Sequence, residues 1–96
     1  MNWIFKDVVS FLRQHFFELS HTEGSHHYFR GKVDNEDRLT WIPNHGSKSI
    51  PPLTLKCAIH KSGIPESVWK KWANNGRDER VKYEGAVNWG NDGDAR

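Results

Sequence analysis

Cys57 is the single cysteine in the 96 residues, so no disulfide can form within the chain. Disulfide-stapled secreted scaffolds are thereby excluded, and a reducing, cytoplasmic setting is expected. Long apolar runs are missing too. Lys6, Asp7 and Arg13 interrupt the apolar start, so neither a signal-peptide core nor a membrane span is expected. There is no internal repeat, no glycine-rich phosphate loop and no cluster of carboxylates of the kind paired-acid catalysis needs. Charge of one sign is also absent: 14 Lys and Arg face 12 Asp and Glu, for a net +2 and a pI near 8.8. That balance permits an anionic partner without requiring one.

Aromatic residues are abundant: five Trp, five Phe and two Tyr. A chain of this length forms one domain with a small core, and large rings are the efficient way to fill it. Charge is unevenly placed. Residues 1–74 hold ten Lys and Arg against seven Asp and Glu, whereas residues 75–96 hold four against five. All six histidines lie in the first part, which becomes more basic as they protonate.

Trp3, Ile4, Val8, Phe11 and Leu12 recur at helical spacing, which predicts an amphipathic helix over residues 3–15. Phe17, Leu19 and His21 alternate with Glu18, Ser20 and Thr22, the pattern of a half-buried strand. Glu23-Gly24-Ser25 is a turn. Residues 26–32 form a second strand, Asp34 to Asp37 a polar hairpin connection, and residues 38–43 a third strand. Leu39 and Trp41 share one face of that strand, Thr40 and Ile42 the other. Residues 44–49 read as a loop. Pro51 and Pro52 suit the first turn of a helix over 52–62 that carries Leu53, Leu55, Cys57 and Ile59, and Gly63 ends it. A short last helix opens at Pro65-Glu66, with Val68, Trp69 and Trp72 buried. Residues 75–96 lose the pattern and are expected as a flexible tail, although Val81, Tyr83, Val87 and Trp89 leave room for a strand or a docking contact. The expected fold is α+β: a helix, a three-stranded antiparallel sheet, a helix and a short C-terminal helix. That is the outline of a double-stranded-RNA-binding domain, with one sheet face partly open.

The densest chemistry lies in Gly24-Ser25-His26-His27-Tyr28-Phe29-Arg30. Neighbours on a strand point to opposite faces, so His26 aligns with Tyr28 and Arg30, and His27 with Phe29. Phe29 is the natural core residue, which leaves His26, Tyr28 and Arg30 on the open face. A histidine can move protons near neutral pH, an arginine can grip a phosphate with two hydrogen bonds, and a tyrosine can stack on an unpaired base. RNA supplies its own nucleophile, so this set needs no metal. The plainer alternative is a packed, hydrogen-bonded histidine pair without a catalytic role.

His45 and Lys48 either extend a phosphate-binding rim or decorate an exposed loop. Lys56, His60 and Lys61 form either a phosphate-contacting stripe or a solvated helix face; Lys56 and His60 are four apart and share a side. Cys57 reads as core rather than as a nucleophile. A zinc site drawn from His21, His26 or His27, Cys57 and His60 lacks paired ligand spacing. Trp69 and Trp72 read as core.

The order and spacing of several segments resemble the HicA toxin family over about residues 3–70. These segments are the opening helix, Gly24 to Arg30 (GSHHYFR) and Trp41 to Pro65 (WIPNHGSKSIPPLTLKCAIHKSGIP). Within the last, Pro43-Asn44-His45-Gly46 and the Leu55 to Gly63 helix match the family pattern. The resemblance implies a double-stranded-RNA-binding-like fold, an mRNA-cleaving endoribonuclease with one strand histidine, no cofactor, and a HicB-like antitoxin that blocks the active site. It carries the catalytic position to His26, with His27 as the fallback because some members place the histidine one residue later. The expected RNA-contacting set is Ser25, Tyr28, Arg30, His45, Lys48 and Lys56. The expected domain is residues 1–74, followed by the tail. The chain departs from the family at His15-Phe16-Phe17, where a glycine is usual, and at the acidic hairpin of 33–38, which reads as longer than the usual turn. A non-catalytic RNA-binding module or a protein-interaction domain is the alternative function.

Overall fold

The computed structural model describes residues 2–88. Its order is α1 (Phe5–Gln14), β1 (Glu18–Glu23), β2 (His26–Val33), β3 (Glu36–Pro43), α2 (Pro52–Ser62), α3 (Glu66–Asn74) and a two-residue β4 (Ala86–Val87). The architecture is α+β with the double-stranded-RNA-binding-domain outline, as the pattern of the chain predicts. β2 lies between β1 and β3, both antiparallel to it.

α1 buries Val8, Phe11 and Leu12 at the spacing expected of one helical stripe. Its N-cap is Ile4, which has no side-chain oxygen to cap the first turn. Instead the Asp7 carboxylate, in the first turn, accepts a hydrogen bond from the Ile4 N–H at 3.0 Å. Phe11 then stacks on Trp69 (ring centroids 3.9 Å apart), and Trp3 stacks on Trp72 (5.4 Å). These four rings knit α1 to α3 and are all buried. Both indole N–H groups of α3 find acceptors: Trp69 donates to the Ile64 carbonyl (3.2 Å) and Trp72 to the Gln14 amide oxygen (2.9 Å).

Val33, Phe29 and Ile42 face the helices and are buried. Gly31 shares that face because the Phe17 ring lies flat on it: a Cβ there would sit 2.6 Å from a ring carbon. Thr40 is buried on the same face, and its hydroxyl donates to the Ala58 carbonyl of α2 at 2.9 Å. α2 ends at Gly63, whose left-handed conformation (φ 77°) is the expected helix stop.

Three details differ from the sequence expectation. The Asp34-Asn35 connection is a tight two-residue turn, not a long one. Both residues have positive φ (53° and 67°), and Val33 pairs directly with Glu36. Asp and Asn tolerate the conformation that a type I′ hairpin needs, so Glu36 and Asp37 join the strand. Cys57 is exposed rather than core. The buried stripe of α2 is Leu55, Ala58, Ile59 and Ser62, and position 57 falls outside it, as does Leu53 at 79 % exposure.

The third difference concerns the expected tail. Residues 75–88 return to the body. Arg77 pairs with the nearly buried Asp7 carboxylate at 2.8 Å. The Tyr83 hydroxyl donates to the Asp34 carboxylate at 2.9 Å, and the Tyr83 N–H donates to the buried His15 ring. Ala86 and Val87 then pair with Val33 and Lys32. β3 already occupies one side of β2 along its whole length, so β4 prolongs the β1 edge. Residues 89–96 of the expected tail, Trp89 included, lie outside the described residues.

Candidate active site

β2 sets the face on which each histidine falls. Phe29, Gly31 and Val33 point into the helix layer, so His26, Tyr28, Arg30 and Lys32 point to the open face. The hairpin register places Trp41 opposite Tyr28 and Pro43 opposite His26. The His26 ring therefore packs on Trp41, with centroids 4.3 Å apart and planes tilted by 38°. It is half-buried, not sealed, and keeps access to solvent.

β1 contributes a residue that simple alternation misplaces. Strict period-two reading puts His21 on the side of Phe17 and Leu19. The pairing runs Glu18 with Arg30 and Leu19 with Phe29, then skips Ser20 and resumes with His21 opposite Tyr28. This β-bulge turns His21 to the open face. Its ring stacks on Tyr28 at 4.4 Å with planes 6° apart, and the Ser20 hydroxyl lies 3.0 Å from its Nδ1. Glu23 is 3.7 Å from its Nε2, placed to pair with the protonated ring. The open face thus carries a row of four rings across three strands: His21, Tyr28, Trp41 and His26. Tyr28 and Trp41 are 6.5 Å apart, which closes the row. Trp41 belongs to this row, although alternation within β3 alone does not say which of its faces is open. The two-residue hairpin was the signal that fixes it.

The remaining expected site residues divide by location. Ser25 immediately precedes His26, and its carbonyl accepts the Asn44 N–H at 2.8 Å. That bond brings the start of the 44–49 loop, with exposed His45, to the end of the sheet where His26 lies. Lys48 is exposed in the same loop, and its N–H donates to the His45 carbonyl at 3.3 Å. Arg30 is exposed on the open face, across from Glu18 and Leu39. His27 lies on the other side of β2, edge-on to the Phe5 ring at 4.9 Å. Lys56 does not join His26. It is exposed on α2, in the layer that covers the opposite face of the sheet.

The groups with displaced protonation equilibria lie away from this row. Burial lowers the pKa of His15, and the Asp34 carboxylate raises that of Tyr83 by accepting a hydrogen bond from its hydroxyl. Both serve the return of residues 75–88. Among the described residues, no three His, Cys, Asp or Glu side chains come together to hold a metal ion.

Residues 5–64 match the sequence model of the HicA toxin of bacterial toxin–antitoxin systems, more than half of the chain. The chain belongs to the HicA toxin family. The match runs from the start of α1 to just past the Gly63 cap, so it includes β2, the 44–49 loop and all of α2. α3 and β4 lie beyond it. No curated protein and no solved structure matches the chain. Family membership makes this HicA protein a toxin and gives it a cognate antitoxin as partner. No helix among the described residues is long and apolar enough to cross a membrane.

Proposed function

We propose that this toxin is an endoribonuclease that cleaves mRNA without a metal, with His26 as the proton-transferring residue. The observation that carries the reading is the open face itself. An accessible imidazole stands beside Trp41, in a row of rings, with Arg30 on the same strand face. Tyr28 and Trp41 offer stacking platforms for unpaired bases, Arg30 and Lys48 offer charge for the phosphates, and His45 offers a hydrogen-bonding ring.

In the proposed step the neutral His26 ring removes the proton from a ribose 2′-hydroxyl. The 2′-oxygen attacks the adjacent phosphorus and the bond to the 5′-oxygen breaks. The 5′-oxygen leaves with a proton taken from water on the open face, and the products are a 2′,3′-cyclic phosphate and a 5′-hydroxyl. Arg30 stabilises the charge that develops on the phosphate. His21, on the same face and paired with Glu23, is the second imidazole within the row.

His26 is preferred to His27 on geometry. His27 lies against Phe5 in the helix layer, on the other side of the strand from Tyr28 and Arg30. The HicB-like antitoxin is proposed to cover the His26 face, where Leu39 adds an apolar side chain that is 48 % exposed. Exposed apolar surface on this face is what a protein partner would bury. Induction in cells tests the assignment. Wild type should arrest growth and degrade mRNA, whereas His26→Ala should do neither. Equal toxicity of the two would refute the role of His26, and loss of toxicity in His27→Ala alone would transfer it to the neighbour. A purified protein that shifts RNA without cutting it would favour the binding-module reading, for which the same row of rings is equally suited.

A further inference from the structure

The side of the sheet facing away from His26 carries its own concentration of positive charge. We propose that the cleft between β3, α2 and the start of α3 is a second phosphate-binding site for the RNA strand, with Arg38, Lys56 and His60 as its ligands. The proposal rests on the ribonuclease reading and extends the substrate path beyond the row of rings.

The cleft has a volume of about 430 Å³, and Arg38, Lys56, His60 and Glu66 line it. Arg38 comes from the helix side of β3, opposite Gly31. Its guanidinium lies against Gly63, where an added Cβ would be 2.6 Å from Nε and 3.0 Å from Cζ. The Nε–H is shut off from water and has no acceptor among the described residues. The ion pair with Glu36 is long, at 3.7 Å, and made through a different nitrogen. Nε is held against Gly63, but the side chain as a whole stays 34 % exposed, so the rest of the guanidinium can meet a phosphate that enters the cleft. Arginine presents a planar fork that matches two phosphate oxygens.

Lys56 and His60 stand one helical turn apart on the exposed side of α2, so both reach the same cleft. Glu66 is the one carboxylate on the lining. Lys70 pairs with it at 3.5 Å, which offsets its charge. α3 begins at this residue, and no side chain caps its first turn. Its leading N–H groups add to the positive potential set by Arg38 and Lys56.

Position argues for a strand of RNA rather than a free anion. β3 is the edge of the sheet, paired with β2 alone among the described residues. Arg38 and Trp41 are three residues apart on it, about 10 Å along the strand. They point to opposite faces. A single strand that stacks on Trp41 and passes over the β3 edge therefore reaches the Arg38 cleft within a few nucleotides. This gives Lys56 an RNA contact at a site separate from His26.

The test uses the whole toxin and a short 2′-O-methyl oligoribonucleotide, which lacks the attacking hydroxyl and stays intact. Fluorescence anisotropy over a salt series gives affinity and salt slope. Arg38→Gln and Lys56→Gln should each weaken binding roughly threefold to tenfold at low salt, and each should flatten the logarithmic salt slope by about 0.7. Lys61→Gln removes the same charge from the same helix but outside the cleft, and should do much less. Lys56 and His60 are exposed, so their variants keep the test valid if Arg38→Gln unfolds. Cleft variants that match Lys61→Gln in affinity and slope would overturn the proposal while leaving the ribonuclease reading intact. A wild type that binds no RNA at any salt would overturn that reading as well. Cleft variants that bind RNA normally but escape the antitoxin in a growth assay would assign the cleft to the protein partner, again against the proposal.

Discussion

His15 links α1 to the returning C-terminal segment, and its chemistry makes a sharp prediction. Its Nδ1 lies 2.9 Å from the Phe11 carbonyl oxygen, and the Tyr83 N–H donates to its Nε2 at 3.0 Å. A carbonyl can only accept and an N–H can only donate, so the ring is neutral with its proton on Nδ1. Burial, the main cause, pushes its pKa below the ordinary histidine value. The Phe11 carbonyl pulls it up, and the Lys82 charge lowers it further. A lowered folded-state pKa means that the stabilisation is complete above the ordinary value of about 6.5 and is lost as pH falls through the folded-state value. Replacement by Phe keeps the stack on Phe11, whose ring centroid is 4.3 Å away. It removes the acceptor for Tyr83, which costs about 1–3 kcal/mol. In urea unfolding followed by Trp fluorescence, His15→Phe should be less stable than wild type by about 2 kcal/mol at pH near 8. The gap should narrow as pH falls below about 6.5, because the unfolded wild-type chain then takes up a proton on His15 that the buried ring resists. Groups common to both proteins cancel in this difference. A gap that stays constant across the range would rule out a buried neutral His15 that accepts from Tyr83.

Other consequences can be checked by similar means. Gly31→Ala drives a Cβ to 2.6 Å from the Phe17 ring and should destabilise the toxin by about 1–3 kcal/mol in the same unfolding assay. Thr40→Val keeps the shape but removes the buried hydrogen bond to Ala58, for a loss of about 1 kcal/mol. Trp41→Ala should leave a folded protein, since the ring is only half-buried, yet weaken single-stranded RNA binding by about 1–3 kcal/mol in anisotropy titrations.

The elements with strong local signals were legible in the chain. Pro51-Pro52 opens α2 and Gly63 closes it because these residues carry fixed backbone preferences. The alternation of His26 to Arg30 assigned faces correctly because Phe29 anchors one side. That anchor sets His26 and His27 on opposite faces, and their rings pack on Trp41 and Phe5 respectively. What escaped depends on partners far away in sequence. The bulge at Ser20 that re-aims His21 is a property of two strands together, so one strand's alternation cannot reveal it. The return of residues 75–88 hangs on Asp7, His15 and Asp34, remote positions whose polar side chains gave no sign of pairing with Arg77 and Tyr83. Lys56 was grouped with the His26 face by charge alone; only the packing of α2 behind the sheet shows that it belongs elsewhere. Cys57 shows how an apolar residue type in a helix is read as core when the stripe passes beside it.

The role proposed for the imidazole beside Trp41 is proton transfer during RNA cleavage. Its most direct measurement is incubation of purified toxin with end-labelled RNA in excess EDTA, with the product ends identified by mass spectrometry. Wild type should yield fragments that end in a 2′,3′-cyclic phosphate, and a folded His26→Ala variant should yield them at least a hundredfold more slowly, in line with the usual contribution of general acid–base catalysis of about 10²–10⁴-fold. Cleavage by His26→Ala at the wild-type rate, or fragments that begin with a 5′-phosphate, would contradict it.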